Sequence, residues 1–251
     1  MIKRNTTATK NFVRHTRNRL LDKLYWLRAK KNLQAQMQTL KSPADALNVL
    51  WQYQGDGFYR TMQPNQNLWE ISELYARVRA LQPRIIMEIG TRDGGTLFLW
   101  SRSSPDLKLL ISVDLPGGIH GGGYPAAREK FYQLFVQHQP DCQLELLRRD
   151  SQQDATRKEV EDLLQGQKID FLFIDGDHRD AGVRRDYALY ADLVRPGGLI
   201  AFHDIYPNTH DPSIQVNQLW DDIREAEPQT EEIRHEPYTG RYGIGIVTKQ
   251  S

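Results

Sequence analysis

Arg84-Ile-Ile-Met-Glu-Ile-Gly-Thr-Arg-Asp-Gly-Gly-Thr96 is the stretch that decides the fold. A short apolar run, Ile85 to Met87, ends in Glu88. Gly90, Gly94 and Gly95 then make a turn, and an apolar helical pattern follows from Leu97 to Trp100. Strand, glycine loop and helix in this order hold a nucleotide-like ligand at the carboxyl edge of open α/β sheets. Glycine serves where the backbone takes positive φ or where a ligand packs on the main chain. The loop lacks the full G-x-G-x-x-G spacing, so a structural turn in another α/β protein stays open on this stretch alone.

The pattern alternates on both sides of it. Strands are predicted at Ile85–Ile89, Leu109–Asp114, Gln143–Arg148, Asp170–Asp175 and Leu199–His203. Helices are predicted at Gly95–Ser103, Pro125–Gln137, Thr156–Leu164, Asp180–Val194 and Ile214–Ala226, and two short strands at Glu232–His235 and Tyr242–Thr248. Alternation of this kind means a doubly wound, mostly parallel sheet with helices on both faces. The run Phe171-Leu-Phe-Ile174 is apolar throughout, as suits a strand covered on both sides. Upstream, Ser42-Pro43-Ala44-Asp45 reads as a capped helix start, and Leu68 to Leu81 as a second helix ended by Gln82-Pro83. The aromatic-rich loop from Gly57 to Pro64 between them is either a substrate mouth or a packed connector.

Composition sets outer limits. A chain of 251 residues suits one domain with an appendage. Net charge is +1, which does not call for nucleic acid. The single Cys142 excludes an intramolecular disulfide and any cysteine zinc cluster, so a reducing, cytoplasmic setting is expected. Charge is unevenly placed, with ten basic residues and only Asp22 as acid between Met1 and Lys31. Leu20, Leu24 and Leu27 share a helical face there. Residues 1–41 are therefore predicted to be a basic amphipathic helical extension on a domain spanning 42–251. Such a helix can lie peripherally on an anionic membrane, join a second copy as a homo-oligomer, or stay solvated.

The predicted strand ends carry the candidate chemistry. Glu88 and Gly90 close the first, Asp114 the second, Asp150-Ser151 the third and Asp175 the fourth. A carboxylate at the second can accept both hydroxyls of a ribose, and Asp150-Ser151 can reach an adenine amine. Each acid can instead cap the next helix. The blocks Phe171-Leu-Phe-Ile-Asp-Gly-Asp-His178 and Pro196-Gly-Gly-Leu-Ile-Ala-Phe-His-Asp-Ile205 bring Asp175, Asp177, His178, His203 and Asp204 together. Carboxylates suit a hard divalent cation, and imidazole widens the choice to manganese, iron or zinc. A polar cleft with no metal is the alternative. His178, and after it His203, is the candidate base, because imidazole takes a proton near neutral pH.

These residues resemble class I S-adenosyl-L-methionine-dependent methyltransferases. Glu-x-Gly-x-x-x-Gly at 88–94 is similar to their first motif, and Pro196-Gly197-Gly198 to the turn before their fifth strand. Arg92 stands where many members have glycine, a departure shared with the catechol O-methyltransferase-like branch. The block from Asp175 to Ile205, with Asp186 in the helix between, most resembles methyltransferase family 24, the cephalosporin hydroxylase-like subgroup. The likeness spans roughly Gln63 to Thr248. It implies a Rossmann-like seven-stranded sheet whose last strand is reversed. It implies the cofactor over Glu88, Gly90, Thr91, Arg92, Gly94, Gly95 and Thr96, with Asp114 on its ribose, Asp150 and Ser151 near its adenine, and Asp175 adjoining. Metal-using relatives place magnesium on the positions of Asp175 and Asp204, and His203 stands where some have glutamate, so the candidate metal set is Asp175, His203 and Asp204 with magnesium or manganese. The acceptor implied is a hydroxyl on a sugar, glycan or natural product. A dinucleotide oxidoreductase, a metal-dependent hydrolase and a non-catalytic binding module remain as rival readings of the residues themselves. The loop Gly117 to Tyr124 is either a lid, with His120 and Tyr124 touching the acceptor, or an excursion.

Overall fold

The computed structural model describes residues 6–117, 123–237 and 240–250, with side chains described from residue 21 onward except at Pro43. Helices α1 (Thr6–Gln38), α2 (Pro43–Gln52) and α3 (Leu68–Leu81) precede the sheet. Strands and helices then alternate: β1 (Ile85–Ile89), α4 (Gly95–Trp100), β2 (Leu109–Asp114), α5 (Glu129–Tyr132), β3 (Gln143–Arg148), α6 (Asp154–Leu164), β4 (Ile169–Ile174), α7 (Asp180–Tyr190), β5 (Val194–His203) and α8 (Val216–Ala226). Strands β6 (Thr230–Ile233) and β7 (Ile244–Thr248) end the series.

The seven strands lie in the order β3-β2-β1-β4-β5-β7-β6. Strands β1 to β5 pair in parallel, and β7 runs antiparallel to β5. Strand order reverses between β1 and β4, so a crevice opens beyond their carboxyl ends. Side chains alternate between two cores. Ile86, Leu110, Phe171 and Phe173 face the side covered by α2 to α5. Ile85, Met87, Ile111, Leu172 and Ile174 face the side covered by α6 to α8. Both cores are apolar and closely packed, which fixes the strand ends around the crevice.

Several expectations are corrected. The helix predicted over 125–137 is a 3-10 turn at Ala126–Arg128, then α5, then turns. Phe131, Tyr132, Leu134, Phe135 and Val136 are all buried, and a single helix face cannot bury so continuous a run. Strand β5 starts five residues early, because Pro196-Gly197-Gly198 lies inside it rather than before it. The division at 41/42 does not separate two packing units. Ala29 and Leu33 of α1 are buried in the same core as Leu50, Tyr59 and Phe131. The other face of α1 carries Leu24 and Leu27, 42% and 54% exposed.

Candidate active site

Beyond the ends of β1 to β5 lies a cleft of about 560 Å³. The glycine loop supplies one side through its main chain. Gly90 has φ 93°, and a Cβ there would stand 2.0 Å from the carbonyl oxygen of Asp175. A Cβ on Gly95 would stand 2.4 Å from the Met62 carbonyl. Only glycine lets β1, β4 and the 62–66 segment close this tightly. Gly90, Thr91, Arg92, Gly95 and Thr96 line the cleft.

Glu88 and Gly94 do not line it. Glu88 is fully buried below the loop, where its Oε2 accepts from the Trp100 indole at 2.9 Å. Burial raises its pKa to about 8, against hydrogen bonds from Thr96, Thr91 and Trp100 that favour the charge. Its place is that of a strut under the loop. Gly94, at φ 75°, packs against the Tyr132 ring.

Asp114 lines the cleft from the end of β2. Its Oδ2 accepts from the Thr91 and Arg92 amides at 3.0 and 2.7 Å, and its Oδ1 from Leu115 at 2.8 Å. The carboxylate thus pins the glycine loop to the end of β2. Burial still raises its pKa, ahead of the amide bonds that lower it. Asp150, Ser151 and Gln152 line the next part of the cleft. Asp150 is held by the Gln152 amide and the Gln153 side chain at 3.0 and 2.9 Å.

The opposite side, at the ends of β4 and β5, is built from charge. His178 Nδ1 lies 3.2 Å from Asp204 Oδ2, and its Nε2 lies 3.5 Å from Asp175 Oδ1. His203 Nδ1 lies 3.2 Å from Asp175 and 3.3 Å from Asp204, off the line of a hydrogen bond. Asp204 sits at φ 62°, a left-handed turn that aspartate tolerates better than most residues. Burial alone would favour neutral imidazoles and neutral acids. The mutual pairing wins: it raises His178 to about 10, raises His203 well above the ordinary histidine value, and holds Asp175 and Asp204 below the usual carboxylate range.

Asp175, His178 and Asp204 each offer one ligand atom within 4.8 Å of the others, a spacing one divalent cation can bridge. His178 belongs to this group, whereas His203 is buried, 3% exposed, with its Nδ1 facing the same two carboxylates. Asp177 is engaged by Arg179 and Gln152 and stands outside the group. Sequence reasoning missed Gln66, whose amide donates to Asp175 Oδ2, and its neighbours Gln63 to Asn65, which line the cleft. Their only mark in the sequence is a polar run just before the Asn67 cap of α3. Of the aromatic loop before them, Tyr59 and Met62 are buried. His120 lies outside the described residues, and Tyr124 is buried against Tyr132.

The reversed strand order, the glycine loop and the antiparallel β7 define a class I methyltransferase fold. The comparisons agree. Residues 87–205 match the family described as "Methyltransferase domain". An uncharacterized protein of Acanthamoeba polyphaga mimivirus is 32% identical over 143 residues, 55% of this chain and 60% of that one. An uncharacterized protein of Sinorhizobium fredii is 26% identical over 174 residues, 68% of this chain but 18% of its own length. Thus the chain spans less than two thirds of the curated relatives it matches. Among solved structures, an O-methyltransferase from Bacillus cereus in complex with SAH superposes with a TM-score of 0.55 at 17% identity, covering 86% of this chain and 96% of that one. An O-methyltransferase from Streptomyces achromogenes in complex with SAM gives 0.54 at 15% identity, covering 88% and 96%. These likenesses are of fold. The oxidoreductase and hydrolase readings gain no support from them.

Proposed function

We propose that the protein transfers the methyl group of S-adenosylmethionine to a hydroxyl oxygen of a sugar, glycan or natural product, with a divalent cation on Asp175, Asp204 and His178. The observation that carries this reading is the donor group Asp175, His178 and Asp204, set across the cleft from the bare main chain of the glycine loop. Gly90 and Gly95 line this cleft, and Asp114 stands beside them at the end of β2 as the acid for a ribose. S-adenosylmethionine supplies a methyl carbon that is already electrophilic, so the chain's task is alignment of the incoming oxygen. A divalent cation supplies Lewis acidity that makes a hydroxyl easier to deprotonate.

Two carboxylates and one imidazole fit magnesium or manganese. Gln66 fixes one face of Asp175, leaving Oδ1 toward His178 and His203. His178 is partly exposed at the cleft, and as the third ligand it would give its lone pair to the cation rather than take the acceptor's proton. With both carboxylates unshared its nitrogen stays protonated at neutral pH. A cation held by Asp175 and Asp204 would remove that hold and leave the His178 nitrogen free to coordinate. Asn65, Asn208, His210 and Arg241 line the outer cleft, a polar surface suited to a hydroxyl-rich acceptor. Leu24 and Leu27 beside exposed Lys23, Arg28 and Lys31 support peripheral contact with an anionic surface. No helix among the described residues is long and apolar enough to cross a membrane.

The test is methyl transfer from labelled S-adenosylmethionine to panels of sugar and phenolic hydroxyls, with and without chelator. Transfer that stops with chelator and returns with magnesium or manganese is expected. Full turnover in chelator removes the cation from the account, and transfer to amines alone removes the hydroxyl.

A further inference from the structure

A second cavity, of about 500 Å³, lies between α1 and the glycine loop. Asp22 and Tyr25 of α1, Phe58 and Arg60 of the turn after α2, and Arg92 and Asp93 of the loop line it. Most charges here are spoken for. Asp22 pairs with Lys130 at 3.7 Å, and Asp93 with the buried Arg128 at 3.1 Å. Arg128 also donates to the carbonyls of Phe58, Thr61 and Asp93, which fixes the cavity floor.

Arg60 and Arg92 are different. Both are exposed, and neither guanidinium has an ion pair or hydrogen bond among the described residues. Arg92 also holds φ 44°, a conformation that glycine takes far more readily. Its main chain is locked there by Asp114 and by the Tyr132 hydroxyl. With the other pairs neutralised, the cavity keeps two positive charges. Its rim adds Phe58, 50% exposed, an aromatic face open to a ligand.

We propose that this cavity binds a phosphate monoester group between the guanidinium groups of Arg60 and Arg92, with the ligand's body against Tyr25 and Phe58. A phosphate dianion matches the two uncompensated charges, and guanidinium forks bind phosphate oxygens bidentately. The phosphate can belong to a soluble molecule or to the headgroup of an anionic lipid, since Leu24 and Leu27 are exposed on the same helix. Arg92 and Asp93 also line the methyl-transfer cleft, whereas Tyr25, Phe58 and Arg60 line this cavity alone.

The experiment titrates the full chain with phenyl phosphate and, in parallel, with phosphatidylcholine vesicles containing or lacking phosphatidic acid. Arg60→Ala is compared with the parent and with Arg60→Lys, with S-adenosylmethionine affinity as the control for an intact fold. Saturable binding is expected, weakened roughly tenfold or more by Arg60→Ala and partly restored in Arg60→Lys, with cofactor affinity within about twofold. Binding in the phenyl phosphate arm assigns the site to soluble phosphates. Binding only to phosphatidic acid vesicles assigns it to a lipid headgroup. No saturable binding in either arm, or binding that Arg60→Ala leaves unchanged, overturns the proposal.

Discussion

Across the cleft, Gly90 and Gly95 meet their neighbours with bare main chain, whereas Asp175, His178, His203 and Asp204 meet each other with charge. The glycine side is steric. It works because nothing projects from the backbone, and its geometry is fixed by Asp114 above and Glu88 below. The β4–β5 side is electrostatic. Its two imidazoles and two carboxylates are stable together, and losing one member leaves the others buried with unbalanced charge. The first side should therefore fail abruptly on substitution, and its response to pH should come through the raised acids Glu88 and Asp114 that hold the loop. The second should respond in degrees to substitution, protons and cations.

The largest effect on cofactor affinity is expected on the steric side. Gly90→Ala must push a methyl group into the Asp175 carbonyl and hold alanine at φ 93°, so cofactor affinity should fall by more than about a hundredfold, near 3 kcal/mol. Affinity near the parent's would break the contrast at once. Next comes Asp204→Ala, which strands two raised histidines beside one carboxylate. It should cost about 3–5 kcal/mol of stability, as removing one partner from a buried pair does. A denaturant titration reads this. Asp204→Asn should lose less, since the amide keeps the shape and one acceptor.

The electrostatic side should also titrate. His178 is raised from 6.5 to about 10, so its share of stability is complete below 6.5 and lost as pH climbs through 10. Asp175 and Asp204 are lowered from 3.8, so their share is present above that value and lost on acidification below it. The metal-free protein should then melt lower at pH 10 than at pH 7. Manganese must displace the His178 proton, so its affinity should rise between about pH 7 and 10, by up to roughly tenfold per unit. A flat affinity over that range would take His178 out of the ligand set. The smallest effect belongs to the far end of the chain: removing residues 1–20 should leave cofactor affinity within about twofold, under 1.4 kcal/mol. Leu33→Ala, by contrast, should cost about 2–5 kcal/mol as an ordinary core cavity.

The steric side was the more legible in the sequence. Strands β1, β2 and β3 fall at the predicted residues, because each is a short apolar run stopped by a polar or glycine residue. The loop glycines could be read because glycine has few other reasons to cluster there. Legibility failed where one residue type serves two purposes. Glu88 has the look of a ligand residue, yet the Trp100 indole twelve residues on draws it under the loop. His178 and His203 are alike as letters and both line the cleft, and only the fold leaves the first partly exposed and buries the second. Helix α1 was read from its leucines, whereas the face that packs uses Tyr25, Trp26, Ala29 and Leu33. Small and aromatic residues carry a weaker periodic mark than leucine, so the docking face was hidden behind the exposed one.

The central claim, that the main chain around Gly90 holds S-adenosylmethionine in this cleft, is tested most directly by calorimetric titration of the full chain with S-adenosylmethionine and, separately, with NAD. The account predicts one saturable site for S-adenosylmethionine, lost in Gly90→Ala, and no binding of NAD. Binding of NAD, or S-adenosylmethionine binding that survives Gly90→Ala intact, would contradict it.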